Sequence, residues 1–180
     1  MLNNNDNSAP GPSEKTMGRG MLYAFWITLV IGSSLLLSNY ESDKYHPNRN
    51  AQGKVFEGVR ELVLQRNDYG HYIVDGSING KAVTFMLDTG ATAVSLPAQL
   101  GKKLGLKGQG RYPVQTANGS VYVAGTKLDR LSMGPIELFD VRASLNPGMK
   151  GDQILLGMNV LKHLEFSQSG NTLTLRQKTP

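Results

Sequence analysis

The stretch Val83-Thr84-Phe85-Met86-Leu87-Asp88-Thr89-Gly90-Ala91-Thr92 decides the reading of this chain. Its first half is apolar and β-prone, which reads as a strand packed into a core. The run ends on a carboxylate, Asp88, followed by a hydroxyl, Thr89, and then Gly90. If the carboxylate does chemistry, each residue has a task. Asp88 supplies the charge, Thr89 can brace the turn, and Gly90 lets a backbone N–H approach the carboxylate. The plainer alternative is an Asp that only accepts turn hydrogen bonds at a strand end.

Working outward, the pattern is mostly short strands. Glu61–Arg66 and His71–Ile78 read as strands, the second leading through Asn79-Gly80, a strong hairpin signal, into Lys81–Leu87. After Asp88 come a short strand over Ala93–Leu96 and a helix over Pro97–Leu104, with Pro at its start and Gly105 past its end. Tyr112–Thr116 and Val121–Thr126 flank Ala117-Asn118-Gly119-Ser120 as a second hairpin. Lys127–Met133 and Ile136–Ser144 are further strands, and 146–151 is a loop. Gln153–Gly157 reads as a short buried strand ending in Gly, Met158–Leu164 as a helix, and Glu165–Arg176 as a closing hairpin. The class is all-β with one or two short helices.

The N-terminal part differs in kind. Residues 1–20 are polar and rich in Asn, Gly, Ser and Pro, as in a disordered tail. Met21 to Leu37 carries no charge and, with its neighbours, approaches the ~20 residues that cross a bilayer. Tyr23 and Trp26 lie where an interfacial aromatic belt would be. A core helix would show a polar face, and a signal peptide would offer a small-x-small cleavage site that Leu37-Ser38-Asn39-Tyr40 lacks. The expectation is an uncleaved transmembrane anchor over 21–38. Lys15 and Arg19 precede it, and Glu41, Asp43 and Lys44 follow, so the positive-inside bias puts the N-terminus in the cytoplasm. In a bacterium this means an inner-membrane, single-pass protein whose domain faces the periplasm. Residues 39–58 read as a polar linker and 59–180 as the folded domain.

Composition excludes several chemistries. The 180 residues include no Cys, so disulfides and Cys-based metal sites are out, and the net charge of +5 is spread along the chain. No basic cluster is interleaved with aromatics, so no nucleic-acid partner is expected. His46, His71 and His163 have no partner at metal-ligand spacing and read as surface or turn residues. Asp75 and Asp152 read as turn residues. There is no Gly-x-Ser-x-Gly, no His-Glu-x-x-His and no phosphate loop.

From about Tyr72 to Leu175 the chain resembles a single-lobe, retroviral-type (retropepsin-like) aspartic protease of the membrane-anchored bacterial kind. Three elements carry the resemblance in order. They are the apolar strand into Asp88-Thr89-Gly90-Ala91-Thr92, the hairpin around Thr116-Ala117-Asn118-Gly119, and Ile154-Leu155-Leu156-Gly157-Met158-Asn159 before the C-terminal helix. The resemblance implies a single-lobe acid-protease barrel with Asp88 catalytic and Thr89 and Gly90 shaping its loop. It implies a substrate-covering flap at Thr116, Ala117, Asn118 and Gly119. It implies a peptide substrate and no metal or cofactor.

In such chemistry two adjacent carboxylates share one proton. The ionised one takes a proton from water, and the protonated one donates to the scissile carbonyl. Asp-Thr-Gly occurs once here, and a two-lobed enzyme would need roughly twice a typical 100–150-residue domain. The resemblance therefore implies a homodimer with one Asp88 from each subunit. The alternative from another class is a non-catalytic protein-binding or scaffold module on the same fold.

Overall fold

A computed structural model describes residues 14–116 and 119–178, with backbone alone for 14–17, 19 and 36–43. The chain divides into a unit ending at Asp43 and a second unit from Lys44 onward.

The first unit is dominated by helix α1, Glu14–Tyr45. Most of its described side chains from Met21 to Leu35, among them Phe25, Trp26, Ile27, Val30 and Ile31, are apolar and exposed. Two hydroxyls turn back onto the helix: Thr28 Oγ1 donates to the Ala24 carbonyl at 2.8 Å and Ser33 Oγ to the Val30 carbonyl at 3.0 Å. The expected anchor is therefore helical. However, among the described residues no helix is long and apolar enough to cross a membrane. Thr28, Gly32, Ser33 and Ser34 dilute the run, and the side chains of Leu36, Leu37 and Ser38 at its end lie outside the described residues. Of the expected disordered tail over residues 1–20, residues 14–20 are the helical start of α1, and 1–13 lie outside the described residues.

The second unit is built from eleven described strands. They are β1 Gly53–Phe56, β2 Val59–Gln65, β3 Tyr72–Ile78, β4 Lys81–Leu87, β5 Val94–Pro97, β6 Gln109–Thr116, β7 Gly119–Met133, β8 Ile136–Asn146, β9 Gln153–Leu156, β10 Glu165–Ser169 and β11 Thr172–Lys178. Helix α2, Ala98–Leu104, follows β5, and the single turn α3, Met158–Leu161, follows β9. One sheet has the order β1-β2-β11-β10. The other runs β3-β4-β9-β5-β8-β7-β6, with β3 also meeting β7.

Local sequence explains most of this. Asn79 (φ 50°) and Gly80 (φ 80°) supply the left-handed pair that a two-residue hairpin needs. Pro97 precedes α2, and Gly105 closes it at φ 78°. The expected strands over 121–126 and 127–133 are one continuous strand, β7.

The core joins both sheets. Leu62, Leu64 and Leu175 from the small sheet pack with Phe85, Val94, Leu96, Leu131, Ile136, Ile154 and Leu156 from the large one, all fully buried. Burying side chains of this size stabilises by roughly 1.5–3 kcal/mol each, measured against an exposed chain.

The expected linker over 39–58 needs correction. From Lys44 onward it belongs to the domain. It contains β1, and Asn48 is buried with its amide fully used. Nδ2 donates to the carbonyls of Gln65 and Ile73 at 2.8 and 2.7 Å, and Oδ1 accepts the Gln65 N–H at 2.7 Å. A polar composition reads as solvent-exposed only while its hydrogen bonds go to water. Here they go to β2 and β3.

His46 is corrected in the same way. It is 7% exposed, with Nε2 at 2.9 Å from Asp75 Oδ1, and Thr84 Oγ1 donates to that same oxygen at 2.7 Å. Asp75 itself sits within β3 rather than in a turn.

Candidate active site

Asp88 stands where β4 runs out beside β9. The two strands are parallel, pairing Thr84 with Gln153 through Leu87 with Leu156. The ladder continues one step further, because the Asp88 N–H donates to the Leu156 carbonyl at 3.1 Å. The chain then turns, with the Ala91 N–H on the Asp88 carbonyl at 3.2 Å. In the turn, the Gly90 N–H donates to Asp88 Oδ1 at 2.9 Å. A Cβ at Gly90 would stand 3.2 Å from that oxygen, so a side chain there would crowd the carboxylate. Asp88 is half-buried, and Thr89 and Gly90 are exposed. Among the described residues, the Gly90 N–H is the only hydrogen-bond partner of the Asp88 side chain, so its second oxygen is open to solvent.

The loop is held from beneath by the start of α3. The Met158 N–H donates to the Ala91 carbonyl at 2.8 Å, and the Asn159 N–H to the Thr92 carbonyl at 3.0 Å. Gly157 makes this approach possible. A Cβ there would stand 2.6 Å from Ala93 backbone atoms and 2.7 Å from the Ala91 oxygen.

Asn159 goes further. Its Oδ1 accepts the Val94 N–H at 3.0 Å, and its Nδ2 donates to the Arg142 carbonyl at 2.7 Å. Sequence reading places Asn159 in a motif but gives it no role. The available signal was a polar residue inside an otherwise apolar helical turn.

Beside Asp88 lies an apolar shelf. Met86 is two residues upstream and so shares its face. Met86 pairs with Leu155, and Leu155 with Ser95. Ser95 Oγ lies 3.3 Å from Met149 Sδ. All four residues are half-buried.

The expected flap is the β6–β7 hairpin. It pairs Tyr112 with Val123, Val114 with Val121, and Thr116 with Gly119. Thr116 Oγ1 donates to the Gly119 carbonyl at 2.7 Å, and Ser120 Oγ to Gln115 Oε1 at 2.7 Å. Val121 reaches the loop after β8, its Cγ2 3.6 Å from where a Gly148 Cβ would be. Ala117 and Asn118, the expected tip, lie outside the described residues. Among the described residues no group of three His, Asp or Glu could hold a metal ion.

The chain is similar in sequence and fold to known proteins. The family described as gag-polyprotein putative aspartyl protease matches residues 74–163. An uncharacterized protein in the cobV 5′ region of a Sinorhizobium species is 36% identical over 115 residues, covering 62% of this chain and 49% of that protein. An uncharacterized protein of Rickettsia prowazekii (strain Madrid E) is 30% identical over 112 residues, covering 59% and 47%. The chain thus spans about half the length of the curated relatives it matches. A crystal structure of a retropepsin-like aspartic protease from Rickettsia conorii superposes with a TM-score of 0.57 at 28% identity, covering 69% of this chain and 98% of that one. The family match lies over β3 to α3 and so contains the whole loop at Asp88 and its supports, and on that basis the chain belongs to the gag-polyprotein putative aspartyl protease family, with the single-lobe fold of retropepsin-like aspartic proteases.

Proposed function

We propose that this protein is a membrane-anchored aspartic endopeptidase whose active site forms when two copies bring their Asp88 carboxylates together. The observation that carries the reading is the Asp88 carboxylate itself, fixed through one oxygen by the Gly90 N–H and open at the other. A lone carboxylate cannot act as both base and acid. Two facing each other share one proton, so one takes a proton from the attacking water while the other donates to the scissile carbonyl. Thr89 is exposed and makes no hydrogen bond among the described residues, so its hydroxyl is available to a second copy. The peptide lies extended under the β6–β7 hairpin, and the shelf of Met86, Leu155 and Met149 favours a large apolar side chain beside the scissile bond.

The anchor is helix α1. Its support is the largely apolar, exposed surface from Met21 to Leu35, interrupted by Thr28, Ser33 and Ser34. A largely apolar exposed helix finds its partner in a core or in lipid. In this reading the positive-inside bias of the flanking charges makes the N-terminus cytoplasmic and the catalytic domain periplasmic. The relatives come from bacteria, in which this orientation would put the anchor in the inner membrane.

The test is cleavage of a peptide library by the full chain in detergent, wild type beside Asp88→Asn, across acid to neutral pH. Cleavage lost in the variant is the expected result. Equal cleavage by both would assign the activity elsewhere. Silence from a dimeric wild type would favour the non-catalytic binding module.

A further inference from the structure

We infer that the groove at the root of the β6–β7 hairpin binds a small organic carboxylate, which seats its charge on Arg142 and its body against Tyr112. The inference does not depend on the protease reading. None of the residues lining the groove belongs to the Asp88 loop or to the shelf beside it.

The groove holds about 610 Å³ and is built by three strands, with Gln109 and Tyr112 from β6, Gly125 and Lys127 from β7, and Asp140 and Arg142 from β8. Small-molecule sites run from roughly 300 to 1,000 Å³, so the space suits an organic molecule rather than a bare ion. Local sequence opens it. The register of β6 against β7 shifts between Gln109 and Tyr112, where Gly110 stands at φ 61°. Such bulges re-aim the side chains beside them. Gly125 keeps the space clear, because a Cβ there would stand 3.2 Å from the Gln109 carbonyl oxygen and 3.5 Å from the Tyr112 ring. Val123, the strand partner of Tyr112, is fully buried, yet Tyr112 is 42% exposed. Its ring is therefore a wall that nothing in the chain covers.

The charges decide the class of ligand. Lys127 and Arg142 are directly opposed in the β7–β8 pair. Opposed Cβ atoms lie about 4.5–5.5 Å apart, and like charges there destabilise the sheet. One of the two is balanced, with Lys127 Nζ 2.7 Å from Asp140 Oδ1. Asp140 reaches it from a left-handed backbone, φ 57°, which few residues other than glycine adopt. No other acidic residue lines the groove. The Arg142 carbonyl is held by Asn159 Nδ2, but its guanidinium has no hydrogen bond or ion pair among the described residues. Two cations and one carboxylate leave one positive charge without a counter-charge, and it sits on Arg142. A guanidinium fork takes two parallel oxygens, the number that a carboxylate presents. A phosphate would bring a third oxygen and more charge beside the Asp140 carboxylate. The Tyr112 ring offers a flat apolar face to the rest of the ligand, and the Gln109 amide a hydrogen-bond partner.

The test titrates para-fluorobenzoate into the full chain in detergent and follows its fluorine resonance. Wild type is run beside Arg142→Gln and Asp140→Asn. Wild type should bind saturably, and Arg142→Gln about tenfold or more weakly, the scale of losing a hydrogen bond to a charged group. Asp140→Asn frees Lys127 as a second cation and should tighten binding about threefold or more. Asn is well tolerated in a left-handed backbone, so this variant keeps its fold, and a gain in affinity cannot come from misfolding. Equal binding by wild type and Arg142→Gln would overturn the site, and so would no gain in Asp140→Asn. Two further probes settle the source of the carboxylate. A blocked tri-glutamate peptide that binds through Arg142 where para-fluorobenzoate does not would give the groove to a polypeptide and end the small-molecule proposal. Phenyl phosphate preferred over para-fluorobenzoate would overturn the carboxylate assignment. No binding by any of the three probes would overturn the site altogether.

Discussion

Asn159 holds the Val94 amide. Its Oδ1 accepts the Val94 N–H at 3.0 Å while its Nδ2 donates to the Arg142 carbonyl at 2.7 Å, so one side chain joins the exit of the Asp88 loop to β8. Val94 is fully buried, so water cannot readily replace that bond. Asn159→Ala is expected to cost about 1–3 kcal/mol, the usual penalty for leaving buried backbone groups unpaired. Urea unfolding measures it. If the loop depends on this grip, cleavage per folded molecule falls as well. An unchanged unfolding midpoint would remove Asn159 from the list of supports.

Gly157 makes a sharper prediction. The atoms that its missing Cβ would meet are backbone atoms of Ala91 and Ala93, which cannot rotate away. Gly157→Ala must therefore push the loop that carries Asp88. Overpacking of this kind costs roughly 1–3 kcal/mol. The expected outcome is a loss of cleavage larger than the loss of stability, seen by comparing turnover with thermal unfolding. A fully active Gly157→Ala would mean that the loop does not rest on this residue.

The strand into Asp88 and the hairpins were legible because their signals are local. Asn79-Gly80 demands left-handed geometry, and the alternation in β4 and β9 follows from facing a core. The supports of Asp88 were not legible. Asn159 lies far from Val94 and Arg142 in sequence, and nothing in its neighbours says which backbone groups it meets. The same holds for Asn48 and His46. Side-chain amides and imidazoles are scored as polar by composition, and only the fold shows that their partners are strands rather than water.

The seat of Asn48 predicts where the domain begins. Removing its amide by Asn48→Ala orphans the Gln65 N–H and two carbonyls, Gln65 and Ile73. The loss should be about 1–3 kcal/mol for each group left unpaired. Denaturant titration of wild type against Asn48→Ala checks it. Fragments starting at Lys44 and at Val59 give a second measurement, and only the first is expected to unfold cooperatively. Equal behaviour would restore the linker boundary.

Acid stability should depend on Glu137. A side-chain hydrogen bond from Arg130 holds its carboxyl below the usual carboxylate range, helped by the nearby charge and by the Arg60 guanidinium at 3.2 Å, while desolvation opposes. A carboxylate whose pKa is depressed on folding adds stability that is full above its unfolded pKa. That stability is lost as pH falls through the lower folded value. Wild type is therefore expected to lose stability between about pH 5 and 3 more steeply than Glu137→Gln, which has no proton to gain. Urea midpoints measured across that window test it. Parallel curves for the two proteins would contradict the depressed pKa.

The shelf beside Asp88 predicts specificity. Leu155 lies between Met86 and Ser95, all half-buried and on the face that carries the carboxylate. Because it is not fully buried, Leu155→Ala should cost less stability than truncating a core leucine such as Leu156, for which about 2–5 kcal/mol is usual. Its effect should fall on substrate choice. Losing part of an apolar pocket reduces discrimination for large apolar side chains by about tenfold or more, at the scale of 1–3 kcal/mol per methylene group. The measurement is kcat/KM for a matched pair of peptides, Leu and Ala beside the scissile bond, with wild type and Leu155→Ala. A fall confined to the Leu peptide places Leu155 in the pocket. An equal fall for both would show that the substitution disturbs Asp88 instead, since the carboxylate and the shelf share one strand pair.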